Sequence, residues 1–490
     1  MPTTRDPVSP LYDMPVPLTE RLQARLDRRP RLGVALLYAL PVLLMLLARL
    51  LLVPTLSEAE AARLLQMLAW AWFYGPDVSP LPLWLGHGLL LLKLPRLAVL
   101  LPEALTLWGV LLIGYAVARL WLSRAASRFA GASLLLLTPL SLGFSAGGAV
   151  GLFACFALLG LVGAAVRTLR RGGWANALLF AVSLALCLTA GRGSLLFALV
   201  FLLCIGIDRD LRVERQRYRV PFALGVLAGF GLGVPYLGFE LVALRTTPLL
   251  LLFPPPEVIE AFPRALLHGW SVLAERAAMD LAFWMGAALL MAPALMRPTR
   301  AVDLWPGLMA QSCAATLIVL AGATILERGP IITDSGPLAC LVLVPILIFI
   351  AIDRLPLIAW RRLAVGTMIG AVALIGPVTL LIEDRLLLPT CATCRADADF
   401  KSFARHLTDG HQGPFLVPDP WMAGNLWLHR PDLIPPPGKS ACMLLTMEAA
   451  SLVPQPGTLG PATVLLLPRL RYSGAGLPVT LAPLHSASCP

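Results

Sequence analysis

The sequence predicts an all-α polytopic membrane bundle of about eleven transmembrane helices, followed by a small C-terminal extracytoplasmic α/β domain. Three observations predict it: an apolar composition, apolar runs of membrane-spanning length, and basic clusters that recur after every second run.

Of the 490 residues, 58% are hydrophobic and only 14% are charged, with a mean hydropathy of +0.79. A soluble domain has no core large enough to hide that much apolar surface. Val34 to Val53, Val99 to Leu120 and Val365 to Ile382 each approach the roughly 20 residues that cross about 30 Å of hydrocarbon. Further runs centre near Leu137, Leu158, Leu184, Leu202, Leu227, Leu289, Leu317 and Val344. The N-terminal stretch is polar and the first apolar run is long, so that run reads as an anchor rather than a cleaved leader.

Arginines set the orientation, because short loops rich in them stay cytoplasmic. Arg21, Arg25, Arg28, Arg29 and Arg31 precede the first span; Arg119, Arg124 and Arg128 follow the second; Arg167, Arg170 and Arg171 the fourth; Arg209 to Arg219 the sixth; Arg297 and Arg300 the eighth; Arg354, Arg361 and Arg362 the tenth. Residues 1–32 are therefore expected in the cytoplasm, 33–382 in the membrane with a first outer loop over 55–97, and 383–490 outside the cytoplasm. The net charge of +11 belongs to this topology, and no soluble basic groove suggests nucleic acid.

Cys155, Cys187, Cys204, Cys313 and Cys340 fall in apolar helices and read as packing residues. Cys391, Cys394, Cys442 and Cys489 lie in the tail, where one or two disulfides are expected. His87, His406, His411 and His429 have no metal-ligand spacing.

The loop from Leu56 to His87 is too polar to cross and too patterned to be a linker. Ser57 and Glu60 form a capping-box pattern that opens a helix expected to run to about Trp72. Pro80 and Pro82 argue against a regular helix at their own positions, so a short apolar helix is expected over Leu83–Leu92. Glu58 and Glu60 are the candidate general bases at the outer surface, although first-turn carboxylates also serve capping and the helix dipole. Asp77 reads first as a turn residue.

This order, an acidic cluster, an amphipathic helix, the Leu68-Ala69-Trp70 segment and a Pro-rich PLPLWL, resembles the first periplasmic loop of polyprenyl-phosphate-dependent glycosyltransferases of fold type C, related to protein O-mannosyltransferases and aminoarabinose transferases. In that family the loop begins Asp-Glu-Ala, with the Asp as base; here Ser57 precedes Glu58 and Ala59. Val78 to Pro82 replace a QPPLY-like element. LTAGRGSLL is similar to an LTK-type element, with Arg192 in the Lys place, and LAGATILERGPI to the outer loop that carries an Arg near the donor phosphate, here Arg328. DPWMAGNLWLHRPD resembles a segment of the family's small C-terminal domains and reads as a strand and turn with Gly424 and Asn425 at the bend.

The resemblance implies sugar transfer from a polyprenyl-phosphate donor to an envelope lipid, polysaccharide or protein acceptor at the outer face of a bacterial inner membrane. Glu58 or Glu60 would be the catalytic base, and Arg192, Arg328, Trp70 and Asp77 would bind substrate, with no metal-ligating residues and no cofactor beyond the lipid-linked donor, a divalent metal being left open. Two other classes stay open at this level. One is a catalytically degenerate homologue acting as a binding or assembly partner, suggested by Ser57; the other is a transporter or flippase, disfavoured because the charges gather at helix ends.

Overall fold

The computed structural model describes residues 30–72, 78–137, 151–209, 211–246, 304–327, 341–352, 395–410, 414–435, 443–447, 463–470 and 476–483, with a few single positions between these segments. The protein is mostly helical and built for a membrane. Among the described residues, four helices are long and apolar enough to cross one, at Leu32–Leu52, Pro95–Ala118, Leu152–Arg171 and Arg219–Tyr236.

The helices are α1 (Pro30–Leu52), α2 (Glu58–Met67), α3 (Pro80–Leu91), α4 (Pro95–Ala118), α5 (Arg124–Ala132), α6 (Leu152–Arg171), α7 (Trp174–Thr189), α8 (Arg192–Ile207), α9 (Arg212–Arg217), α10 (Arg219–Thr246), α11 (Leu304–Glu327) and α12 (Leu343–Ile352). Helices α7 and α8 have 16 residues each, about 24 Å at 1.5 Å per residue, short for a bilayer crossing unless their ends are covered. Tyr38, Leu107, Leu158, Phe180, Phe197 and Phe201 belong to one continuous core among α1, α4, α6, α7 and α8. Leu36, Leu40, Leu47 and Leu51 of α1 point away from it and are exposed. That is the expected exterior of a helix whose solvent is lipid.

The described basic clusters gather at one end of the bundle. The Arg170 guanidinium lies 5.7 Å over the Trp121 ring. Gly172, at φ +66°, has Tyr218 packed against it so closely that a Cβ would overlap the ring. The first-loop helices lie at the opposite end, where the Tyr236 hydroxyl of α10 donates to the Val78 carbonyl, 2.9 Å.

Two expectations about the loop are corrected. Helix α2 ends at Met67 rather than near Trp72: the His87 Nδ1 donates to the Met67 carbonyl at 2.6 Å, and the chain then turns so that Trp70 stacks on Trp84, centroids 5.3 Å apart, with Trp72 edge-on to the same ring. Helix α3 begins at Pro80 itself. A first helical turn has no intrahelical use for its N–H groups, so Pro80 and Pro82 start the helix instead of preventing it.

The C-terminal segment forms a separate core. It adds α13 (Phe400–Gly410), β1 (Phe415–Leu416), α14 (Pro420–His429), β2 (Met443–Thr446), β3 (Thr463–Leu467) and β4 (Leu477–Pro483). The sheet order is β1-β2-β4-β3, with β1 parallel to β2 and the other pairs antiparallel. Phe400, Phe403, Trp421, Leu445, Val479 and Leu481 fill the space between sheet and helices. A buried Asp397–Arg469 pair, 3.7 Å apart, ties the entry segment to the end of β3.

Gly424 and Asn425 sit inside α14, not in a bend. Asp419 caps that helix by accepting from the Trp421 N–H at 2.8 Å, and Pro420 fits its first position. The glycine is there for contact: a Cβ at 424 would lie 2.7 Å from the Ala61 Cβ. Helix α14 thus packs directly on α2. Asn425, fully buried, accepts from the Leu56 N–H at 2.8 Å and donates to the Leu56 carbonyl at 3.1 Å. Thr55 donates to the Ala396 carbonyl at 3.1 Å.

Candidate functional site

The first-loop helix α2 has two differently occupied faces. On one, Glu60 is completely buried and gripped by Arg49 of α1, whose Nη2 and Nε reach its two oxygens at 2.5 and 3.3 Å. The capping box is formed in full: the Ser57 N–H donates to Glu60 at 2.7 Å and the Glu60 N–H to the Ser57 hydroxyl at 3.2 Å. Burial pushes the Glu60 carboxyl up, and the Arg49 charge and hydrogen bonds, the Ser57 N–H and the Arg63 charge more than offset it, so its pKa lies below the usual 4.5.

This clamp has a pH signature. A carboxylate whose folded pKa is depressed contributes stability that is complete above its unfolded pKa, and that stability is lost as the pH falls through the folded value. The protection of the α2 amides, measured against their intrinsic exchange rates, should therefore fall as the pH drops below 4.5, and Glu60→Gln should abolish that dependence. Protection that stays constant across this window in the unaltered protein would contradict the assignment.

Glu58, two residues earlier, is exposed and lies 3.9 Å from Arg395 of the C-terminal domain. It borders a cavity of 170 Å³ shared with Arg49, Ser57, Arg395 and Trp421. Arg395 in turn stands 5.2 Å over the Trp421 ring and 3.7 Å from Asp419.

The other face of α2 looks into a cavity of 290 Å³ bounded by α3, α4, the start of α6 and the end of α7. Its walls are largely apolar, and its polar groups are Arg63, Gln66, Ser79, Glu103 and Thr106. Arg63 of α2 forms an ion pair with Glu103 of α4. Burial lowers the Arg63 pKa, with Glu60 opposing and Arg49 adding to the shift. Glu103 is partnered by Arg63, whereas the buried Ser79 hydroxyl has no hydrogen-bond partner among the described residues. Buried polar groups in native proteins are satisfied as a rule, so an unpartnered hydroxyl beside an ion pair on one cavity wall marks where a polar ligand would sit.

Glu103 is a site residue that the sequence reading did not single out. The available signal was a lone carboxylate inside an otherwise apolar membrane run, which is expensive and so suggests function. Trp70 is about half exposed, on the Trp84 ring beside the cavity-lining Leu83. Arg192 opens α8 two residues after Ala190, a cavity wall residue; its side chain, like Arg328 and Asp77, lies outside the described residues. No group of three or more His, Cys, Asp or Glu is arranged to hold a metal among the described residues.

The fold is that of the type C glycosyltransferase ArnT. It matches ArnT from Cupriavidus metallidurans bound to undecaprenyl phosphate with a TM-score of 0.57 at 15% sequence identity, over 94% of this chain and 99% of that one. The apo state of the same protein matches with a TM-score of 0.56 at 15% identity, over 92% and 98%. No family model and no curated protein sequence matches the chain.

Proposed function

We propose that the protein transfers a sugar from a polyprenyl-phosphate-linked donor to an envelope lipid, polysaccharide or protein acceptor at the periplasmic face of a bacterial inner membrane. The observation that carries this reading is the 290 Å³ cavity, where the Arg63–Glu103 ion pair and the Ser79 hydroxyl meet apolar walls at the first-loop end of a bundle shaped like a protein bound to undecaprenyl phosphate. A polyprenyl-phosphate sugar has both characters, an apolar chain and a charged, hydroxylated head.

In such a transfer an acceptor oxygen bonds to the sugar's anomeric carbon, the bond to the donor phosphate breaks, and the acceptor proton must go to a base. Glu103 takes that role from inside the cavity, with Arg63 holding it in place. Glu58, on the opposite face of α2, is the alternative base for an acceptor approaching beside Arg395. Arg192 and Arg328 would neutralise the departing phosphate, Trp70 would offer a sugar a ring face, and Asp77 would bind substrate with them. The topology that goes with this is about eleven spans, a cytoplasmic N-terminus and a periplasmic domain from residue 383.

Ser57 favours a second reading, a degenerate homologue that binds lipid-linked sugar or an assembly partner without turnover. A serine keeps the cap but cannot serve as a carboxylate base. The test is the envelope itself: deletion of the gene is expected to remove one glycosylated lipid or polysaccharide, restored by the unaltered gene. An unchanged glycan inventory, together with purified protein that transfers no sugar from lipid-linked donors, would sink the transferase reading.

A further inference from the structure

A third cavity lies toward the basic end of the bundle, away from the two already described. It has a volume of 340 Å³ and runs between α4, α6 and α7. Small residues carve it: Ala157, Gly160, Gly163 and Ala164 succeed one another on one face of α6, the spacing that aligns residues along a helix. The groove opens outward, because its walls Leu179 and Val182 on α7 are 44% and 41% exposed.

Its two ends differ in chemistry. Phe156 closes one, its ring seated against Gly109 so closely that a Cβ there would overlap it. Arg167 lines the other, on the last turns of α6 with Arg170 and Arg171 following. From Phe156 to Arg167 the helix rises roughly 16 Å at 1.5 Å per residue, the length of much of an acyl chain. Trp174, 70% exposed at the start of α7, marks the same level as an interfacial aromatic would.

We propose that this groove holds one acyl chain of an anionic glycerophospholipid from the leaflet at the basic end, with the lipid phosphate on Arg167. Two things select that occupant. A groove open to the side of a membrane-spanning bundle meets lipid chains and nothing else, and the guanidinium at its end selects an anionic head over a zwitterionic one.

The test is native mass spectrometry of the full-length protein in detergent, with phosphatidylglycerol or phosphatidylcholine added. The unaltered protein should retain phosphatidylglycerol preferentially. Arg167→Gln, which leaves the groove's shape intact, should weaken that retention about fivefold, the factor corresponding to about 1 kcal/mol per basic residue. Gly160→Leu should fill the groove and weaken retention at least as much. Gly160→Ala is the folding control, since its Cβ would meet Ser183 Oγ at an accommodating 3.4 Å. Equal retention of the two lipids, or retention unaffected by Arg167→Gln, would overturn the proposal. So would displacement of phosphatidylglycerol by polyprenyl phosphate, which would give the groove to the donor lipid.

Discussion

Glu103→Gln is expected to lower formation of the glycosylated product by about 10²–10⁴-fold, the range a positioned general base contributes. The substitution keeps the size of the side chain and removes both its charge and its capacity to take a proton. It also takes the Glu103 charge away from Arg63, and because that side chain is 23% exposed the cost falls below the roughly 3–5 kcal/mol of a fully buried pair. Loss of product alone would therefore be ambiguous. The double substitution Arg63→Met with Glu103→Gln removes both charges and should regain stability while remaining inactive. Glu103→Asp should keep partial activity with a changed pH profile. If Glu103→Gln folds, binds donor and still turns over while Glu58→Gln does not, the base is Glu58. If both variants are fully active, neither carboxylate is the base, and the cavity binds without catalysing through them.

The second large effect is at the junction between the first loop and the C-terminal domain. Asn425→Ala strips the Leu56 N–H and carbonyl of their partners in a buried position. Each orphaned group costs about 1–3 kcal/mol, which together approaches the stability of a small domain. The expected result is that the Leu56 amide loses exchange protection and α14 becomes accessible to protease, while the bundle helices keep their protection. Gly424→Leu should do the same through bulk, since even a Cβ at that position overlaps Ala61. Asn425→Asp keeps an acceptor for the Leu56 N–H but loses the donor to its carbonyl, so its effect should be intermediate. Unaltered Leu56 protection in Asn425→Ala would mean that the junction does not depend on these bonds.

What the sequence revealed follows the range of each interaction. The capping box was legible because Ser57 and Glu60 satisfy each other within one turn of chain. The four spans at Leu32–Leu52, Pro95–Ala118, Leu152–Arg171 and Arg219–Tyr236 were legible because lipid demands apolar residues whatever their neighbours. Pro80 and Pro82 misled because a proline forbids helix only after the first turn, and the helix start could not be seen locally. Gly424 and Asn425 looked like a bend because both residue types favour turns; their actual reason is Ala61 and Leu56, more than 360 positions away. The site suffered most from this. That Arg49 grips Glu60, and that Glu103 meets Arg63 at the cavity wall, are contacts between helices that neither residue's own neighbourhood in the chain announces.

The indole cluster of Trp70, Trp72 and Trp84 has a consequence for how a substrate arrives. Such rings settle at the boundary between headgroups and acyl chains and resist moving either way. Carried on α3 and on the turn that joins it to α2, beside the cavity, they would act as a depth gauge that holds its mouth level with the lipid phosphates. A molecule tethered to the bilayer then finds that mouth by diffusing within a plane, never having to leave the layer in which it is dissolved.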